Sequence, residues 1–268
     1  MIIMQTNDII TSKENQLYKY ITLLTVKKGR DSSGEFIIEG AKFVQEALEH
    51  CEVVQVAVSE TFAGKNPAVM TISAQKISVF ADSLFNALAV TENTGGILAV
   101  CKKFTPPVDF INNNKPDKLY LIAEEISDPG NLGALIRVAD AAGADAVVLS
   151  SCCVELYNPK VLRGSAGSVF HLPVIEDVDM REVIWELKSR GVRVYAAMPA
   201  GAMYPYGLDL RGSCAFVLGS EANGLKWETA ELADAFVKLP MPGKAESLNA
   251  AVAAGVLLYE AVRQRLVI

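Results

Sequence analysis

Asn131-Leu132-Gly133-Ala134-Leu135-Ile136-Arg137 decides how this chain is read, because two later stretches share its design. They are Leu218-Gly219-Ser220-Glu221-Ala222-Asn223-Gly224 and Leu239-Pro240-Met241-Pro242-Gly243, the latter running on to Ser247-Leu248-Asn249. Each sets glycines beside a few polar side chains at the end of an apolar, strand-like run. Glycine lets backbone come close to a ligand, and a few polar groups beside it are placed for chemistry.

Working outward, the second half alternates strands and helices. Strands are predicted near Leu119–Ala123, Ala146–Leu149, Arg193–Ala197, Ala215–Leu218 and Ala235–Leu239, with helices near Leu132–Ala142, Asp179–Arg190 and Asn249–Arg265. Apolar strands each followed by a helix predict a parallel sheet covered on both faces. The first half also alternates. Thr11-Ser12-Lys13-Glu14 fits a capping box ahead of a helix to about Lys28, with Leu17, Ile21 and Leu24 at helical spacing. A polar turn follows at Gly29–Gly34, then a strand at Phe36–Ile38, a helix at Gly40–His50, and strands at Val53–Val58 and Val69–Ile72. A helix at Asp82–Ala89 and a strand at Gly96–Val100 complete a small α/β layer. Pro106-Pro107, Asn112-Asn113-Asn114 and Pro116 break any period. The predicted organisation is an α/β domain over residues 1–105, a linker over 106–117, and a parallel-sheet α/β domain over 118–268.

With 268 residues, 51% of them hydrophobic, the chain can bury a sizeable core. No apolar run approaches the roughly 20 residues needed to span a bilayer, and Met1–Asp8 lacks the basic and apolar regions of a secretory signal. Cys51, Cys101, Cys152, Cys153 and Cys214 form no CxxC pair, which suits free thiols in a reducing cytoplasm. His50, read as helical, and His171, read at a strand edge, are isolated, so no metal site is expected. The net charge of −6 argues against wholesale coating of nucleic acid. Lys13, Lys19, Lys27, Lys28 and Arg30 nevertheless cluster, as a solvated face or as phosphate contacts. Neither GxGxxG after a first strand nor GxxxxGK[ST] is present, so any ligand is held by another device.

Taken singly, the residues leave alternatives open. Asn131 reads as a helix cap or a substrate partner, and Arg137 as a surface ion pair or a bidentate phosphate clamp. Gly219, Gly224 and Gly243 read as ordinary turns or as points of ligand approach. Arg163-Gly164-Ser165-Ala166-Gly167-Ser168 reads as a polar cap or as phosphate contacts.

Together and in this order, the three stretches resemble the signature of SpoU/TrmH-type RNA ribose 2′-O-methyltransferases, nearest to those acting on large-subunit ribosomal RNA. The resemblance implies a deep trefoil knot in the second domain, although chains rarely thread loops. It implies S-adenosylmethionine bound in a bent pose by Leu218, Gly219, Gly224, Leu239, Met241, Gly243, Ser247 and Leu248. It makes Arg137 the catalytic arginine, Asn131 its partner, Glu221 the acid of the second stretch, and Ser247 and Asn249 the polar pair of the third. Arginine is too weak an acid to serve readily as a base, so Arg137 is expected to clamp phosphate and favour ionisation of the hydroxyl. The chain departs from the family pattern at Ala250-Ala251, where Val and Ser are usual.

Phe36-Ile37-Ile38-Glu39-Gly40, with the helix through Glu46-Ala47-Leu48, is similar to the substrate-binding domain of some members, which has the fold of ribosomal proteins that bind kinked RNA. Lys19, Lys27, Lys28, Arg30, Arg163 and Ser165 are then the expected RNA contacts. Ribosomal RNA is favoured over tRNA, and a homodimer is expected, with Ala253-Ala254-Gly255 suited to close helix packing. Two other readings stand beside this one. The first is an RNA-binding protein of the same fold with little turnover, and the second a small-molecule enzyme of ordinary doubly wound fold.

Overall fold

A computed structural model describes residues 9–67, 76–88, 95–104, 111 and 116–266. The chain divides into two compact units, residues 1–105 and 106–268. The strand expected at Val69–Ile72 and most of the expected linker lie outside the described residues.

The first unit runs β1 (Ile9–Ile10), α1 (Gln16–Leu24), α2 (Lys27–Ser33), β2 (Glu35–Glu39), α3 (Ala41–His50), β3 (Val53–Ser59), α4 (Glu60–Lys65), β4 (Lys76–Phe80), α5 (Asp82–Leu88) and β5 (Ile97–Lys102). Its described strands form a mixed sheet in the order β1-β4-β3-β5-β2, with β5 antiparallel to both neighbours. Ile21, Leu24, Phe80, Phe85 and Leu98, all fully buried, join the sheet to α1 and α5.

One expectation fails here. The single helix to Lys28 is two helices, capped at its start by Asn15 rather than by the Thr11 box. The two helices approach closely, and that approach needs glycine. A Cβ on Gly29 would lie 2.0 Å from the Leu23 carbonyl oxygen, so the two helices meet backbone to backbone. Arg30 is 3% exposed and its Nη1 donates to the Leu24 carbonyl at 2.9 Å. The end of α1 leaves carbonyls without helical partners, and this guanidinium satisfies one of them. Gly29–Gly34 is therefore helix and C-cap rather than a polar turn, and Arg30 is not available to RNA.

The second unit runs β6 (Leu119–Ala123), α6 (Pro129–Ala141), β7 (Ala146–Ser150), α7 (Pro159–Ser165), β8 (Val174–Val178), α8 (Met180–Ser189), β9 (Arg193–Ala197), β10 (Cys214–Leu218), α9 (Trp227–Ala230), β11 (Ala235–Val237) and α10 (Ala250–Arg265). Its described strands are all parallel, in the order β11-β9-β10-β6-β7-β8. The chain lays β6, β7 and β8 outward in one direction, then returns, and β10 fills the place between β6 and β9. Loops leaving the carboxyl ends of β6 and β10 diverge at this reversal, which is where parallel sheets open a crevice. His171 follows a short 3-10 turn at Ser168–Phe170 rather than a strand edge, with Nδ1 3.3 Å from Asp140 Oδ2.

Two contacts fix the helices around that crevice. A Cβ on Gly133 would lie 2.7 Å from Gly164 Cα, so α6 and α7 cross with their backbones in contact. At the end of α10, Arg265 donates to the carbonyls of Leu210 at 3.0 Å, Asp117 at 2.7 Å, Lys118 at 3.1 Å and Gly212 at 2.7 Å. Gln264 adds a reciprocal pair, accepting from Leu210 N and donating to the Leu208 carbonyl. The small residues of α10 serve packing within the chain: Ala254 is fully buried, and a Cβ on Gly255 would meet Val138 of α6 at 3.2 Å. Val252 and Tyr259 face outward from the same helix, 52% and 49% exposed.

Candidate active site

The first loop is set by its cap. Asp128 Oδ1 accepts from Asn131 N at 2.8 Å, and Pro129 occupies the first turn of α6, where a missing N–H costs nothing. The Asn131 side chain is left to face Glu221 and Asn249, which arrive from the second and third loops. Asn131 Nδ2 donates to Glu221 Oε2, Asn249 Nδ2 donates to Glu221 Oε1 at 2.7 Å, and the same amide donates to Asn131 Oδ1 at 2.8 Å. Asn249 also caps α10, its Oδ1 accepting from Ala251 N at 3.0 Å and Val252 N at 3.3 Å. Residues 131, 221 and 249 thus close one polar triangle. Both carboxylate oxygens of Glu221 accept from amides, Oε1 also from Ala250 N at 3.3 Å. Glu221 therefore ties the second loop to the first and third.

Beside the triangle lies a cavity of about 750 Å³. Leu218, Gly219, Gly224, Leu239, Met241, Ser247 and Leu248 line it, as do Glu221 and Glu246. Gly243 is not among the lining residues, and a side chain there would meet nothing within 4 Å. Gly219 is needed for a reason internal to the chain. A Cβ there would fall 2.1 Å from the Gly224 carbonyl carbon and 2.2 Å from Leu225 N. Residues 220 and 224 close this tight return with a 2.8 Å hydrogen bond from Gly224 N to the Ser220 carbonyl.

The return is pinned at its far end by two consecutive carboxylates after β6. Glu124, 4% exposed, accepts from Lys226 N at 2.9 Å and from the Thr229 hydroxyl. Glu125 takes a left-handed backbone (φ 56°) and ion-pairs with the Lys226 ammonium, which raises that lysine's pKa. These acids were not anticipated, although a paired Glu-Glu directly after an apolar strand was a visible signal. The loop after β9 was missed too. Met198, Pro199 and Tyr204 line the cavity, as the rule that ligands sit beyond strand carboxyl ends would have indicated.

Arg137 lies outside the triangle. It is exposed, two turns along α6, and its guanidinium makes no hydrogen bond or ion pair among the described residues. It follows Gly133 by one turn and so shares the face that meets α7. Arg163 is likewise exposed, whereas Ser165 is fully buried with its hydroxyl donating to the Leu162 carbonyl at 2.7 Å. Ser165 is therefore not open to RNA, and its hydroxyl closes the last turn of α7. Lys27 and Lys28 are exposed, and Lys19, exposed too, is ion-paired with Glu14. Among the described residues no group of His, Cys, Asp and Glu could hold a metal ion, and no helix is long and apolar enough to cross a membrane.

Residues 118–259 match the SpoU rRNA Methylase family, and residues 15–99 match the MRM3-like substrate binding domain. A Bacillus subtilis protein named 23S rRNA (guanosine(2553)-2'-O)-methyltransferase RlmP is 37% identical over 93% of this chain and 97% of its own. A Streptomyces viridochromogenes 23S rRNA (uridine(2479)-2'-O)-methyltransferase is 30% identical over 96% of this chain and 92% of its own. The crystal structure of the SpoU methyltransferase AviRb from S. viridochromogenes in complex with the cofactor AdoMet superposes with a TM-score of 0.86, at 28% identity, covering 95% of this chain and 99% of that one. With its three loops joined by one set of hydrogen bonds and these matches spanning both units, the chain belongs to the SpoU rRNA methylase family.

Proposed function

We propose that the protein is an enzyme that transfers a methyl group from S-adenosylmethionine to a ribose 2′-hydroxyl of ribosomal RNA in the cytoplasm. The observation that carries this is the meeting of Asn131, Glu221 and Asn249, from three loops distant in sequence, at the edge of a deep cavity.

The cavity suits the cofactor. Its volume, about 750 Å³, is within the ~300–1,000 Å³ usual for small-molecule sites. Leu218, Leu225, Leu239 and Leu248 offer apolar walls to adenine, and Glu221 and Glu246 favour a cationic ligand. When bound, S-adenosylmethionine supplies an electrophilic methyl on a positively charged sulfur. The chain's part is placement. The triangle fixes the second and third loops against the start of α6, and Ser247 adds a hydroxyl to the cavity wall. Holding the attacking oxygen in line can supply a large share of the rate. Arg137, unpaired, takes the phosphate beside the target ribose and stabilises the developing oxyanion. The proton leaves through that phosphate or water.

Ribosomal RNA as substrate is supported by the named activities of the relatives and by the substrate-binding match of the first unit. An RNA-binding protein without turnover is not favoured, because the triangle is closed and Arg137 is unpaired. The test is transfer of radiolabelled methyl to 23S rRNA, followed by mapping of 2′-O-methyl positions. A single new ribose modification is expected, and no transfer to any ribosomal RNA would sink the reading.

Two finer features belong to the same proposal. One is a deep knot, supported by the match of residues 118–259 to the SpoU family. The other is a homodimer through the outward face of α10, where Val252 and Tyr259 lie open. Light scattering at micromolar concentration is expected to give twice the chain mass, and a monomer would refute the dimer.

RNA capture is assigned to Lys19, Lys27 and Lys28 in the first unit and to Arg163 in the second. Replacing the three lysines by alanine is expected to weaken RNA binding for all sequences. The slope of log affinity against log salt should fall by roughly one per lost phosphate contact. An unchanged slope would make this cluster a solvated face.

A further inference from the structure

Lys238 stands apart among the residues around the cavity. It is the one cation among the described residues that line it, and it has no carboxylate partner among the described residues. Its ammonium lies over the Tyr204 ring, 5.3 Å from the centroid. That contact favours the charge without neutralising it.

The position is built from both sides. Lys238 N donates to the Met203 carbonyl at 2.9 Å and Met203 N donates to the Phe236 carbonyl at 3.3 Å, so residues 203–204 are stitched alongside β11. Gly201 approaches so closely that a Cβ would sit 2.6 Å from Val237 C and 2.8 Å from Lys238 N. Tyr204 is thereby held beside Lys238, and both face the same cavity as Glu221 and Glu246.

Charge then discriminates between ligand parts. The lining carries one ammonium and two carboxylates. S-adenosylmethionine carries the complement, one carboxylate against an α-ammonium and a sulfonium. A partly buried cation facing a ligand of this kind is stabilised most by the single group of opposite sign.

We propose that Lys238, steadied on Tyr204, binds the α-carboxylate of the cofactor's methionyl arm. This rests on S-adenosylmethionine being the cofactor. It makes Lys238 a cofactor-binding residue that distinguishes the whole cofactor from adenosine derivatives lacking the amino-acid arm. Tyr204 is its positioning residue.

The test is calorimetry on the full-length protein with two ligands. Lys238→Met keeps an apolar stem over Tyr204 and removes the charge. Its affinity for S-adenosylhomocysteine is expected to fall about 10- to 100-fold, the usual cost of a lost charged hydrogen bond. Affinity for 5′-methylthioadenosine, which lacks the arm, should stay within about twofold, and Lys238→Arg should recover most of the loss. Equal losses for both ligands would place Lys238 against the adenosine moiety and overturn the proposal, as would no loss for either. Should the variant fail to fold, the wild-type protein decides: it must bind S-adenosylhomocysteine at least about tenfold more tightly than the analogue with a carboxamide in place of the carboxylate. Equal affinity there also overturns it. Failure of the wild-type protein to bind S-adenosylhomocysteine at all would instead strike the cofactor reading itself.

Discussion

Arg137→Ala is expected to retain cofactor affinity while methyl transfer falls by two to three orders of magnitude or more, roughly the cost of removing one group that stabilises a developing oxyanion. The reason lies in what Arg137 lacks. Its guanidinium makes no ion pair or hydrogen bond among the described residues, so its charge is unspent within the chain. Its helix is held firmly, by the Asp128 cap and by the Gly133–Gly164 crossing. A free charge on a rigid mount, on the helix whose first turn carries Asn131, is suited to a phosphate. Arg137→Lys should stay badly impaired, since a point charge cannot reproduce the planar fork. The loss should fall on turnover more than on RNA affinity, because many other contacts hold the RNA. Single-turnover transfer to ribosomal RNA measures this, and a near wild-type rate in the alanine variant would remove Arg137 from catalysis.

The second large effect is expected at Gly219. A Cβ there would overlap Gly224 at 2.1 Å, so even Gly219→Ala forces the return of residues 219–225 apart. Gly219→Val should abolish measurable S-adenosylhomocysteine binding and lower stability by more than the ~1–3 kcal/mol typical of overpacking. Two neighbouring glycines provide the contrast. Gly224 has φ 70° but open space for a side chain, so Gly224→Ala should cost only about 1–2 kcal/mol of backbone strain. Gly243 has neither clash nor positive φ, and Gly243→Ala should bind cofactor as the wild type does. Calorimetry and thermal melts on the three variants would rank them, and undiminished binding by Gly219→Val would refute the loop's role.

These glycines also show how far the sequence could be read. The parallel strands of the second unit were legible because each is a short apolar run beside a helix, and β6 and β9 fall at Leu119–Ala123 and Arg193–Ala197 as expected. α7 and β8 were not. The first is a single Pro-led segment of seven residues, and the second carries Glu176 and Asp177 within its five. Among site residues, Asn131, Glu221 and Asn249 could be chosen from the sequence, but their mutual hydrogen bonds could not. Nor could the burial of Arg30 and Ser165, because both depend on a carbonyl presented by a neighbouring turn. Gly219 was legible as special, yet for another reason: its close neighbour is the chain's own backbone.

The guanidinium of Arg265 joins α10 to carbonyls at Asp117 and Lys118, 148 and 147 positions earlier in the chain. Contacts at such separation carry a heavy loop-closure cost and cannot form until the intervening sheet has brought the two ends together. Such contacts are expected to form late, so Arg265→Ala should speed unfolding more than it slows refolding, which stopped-flow kinetics across denaturant would check. The clamp is then what governs how long the second unit, once assembled, stays closed.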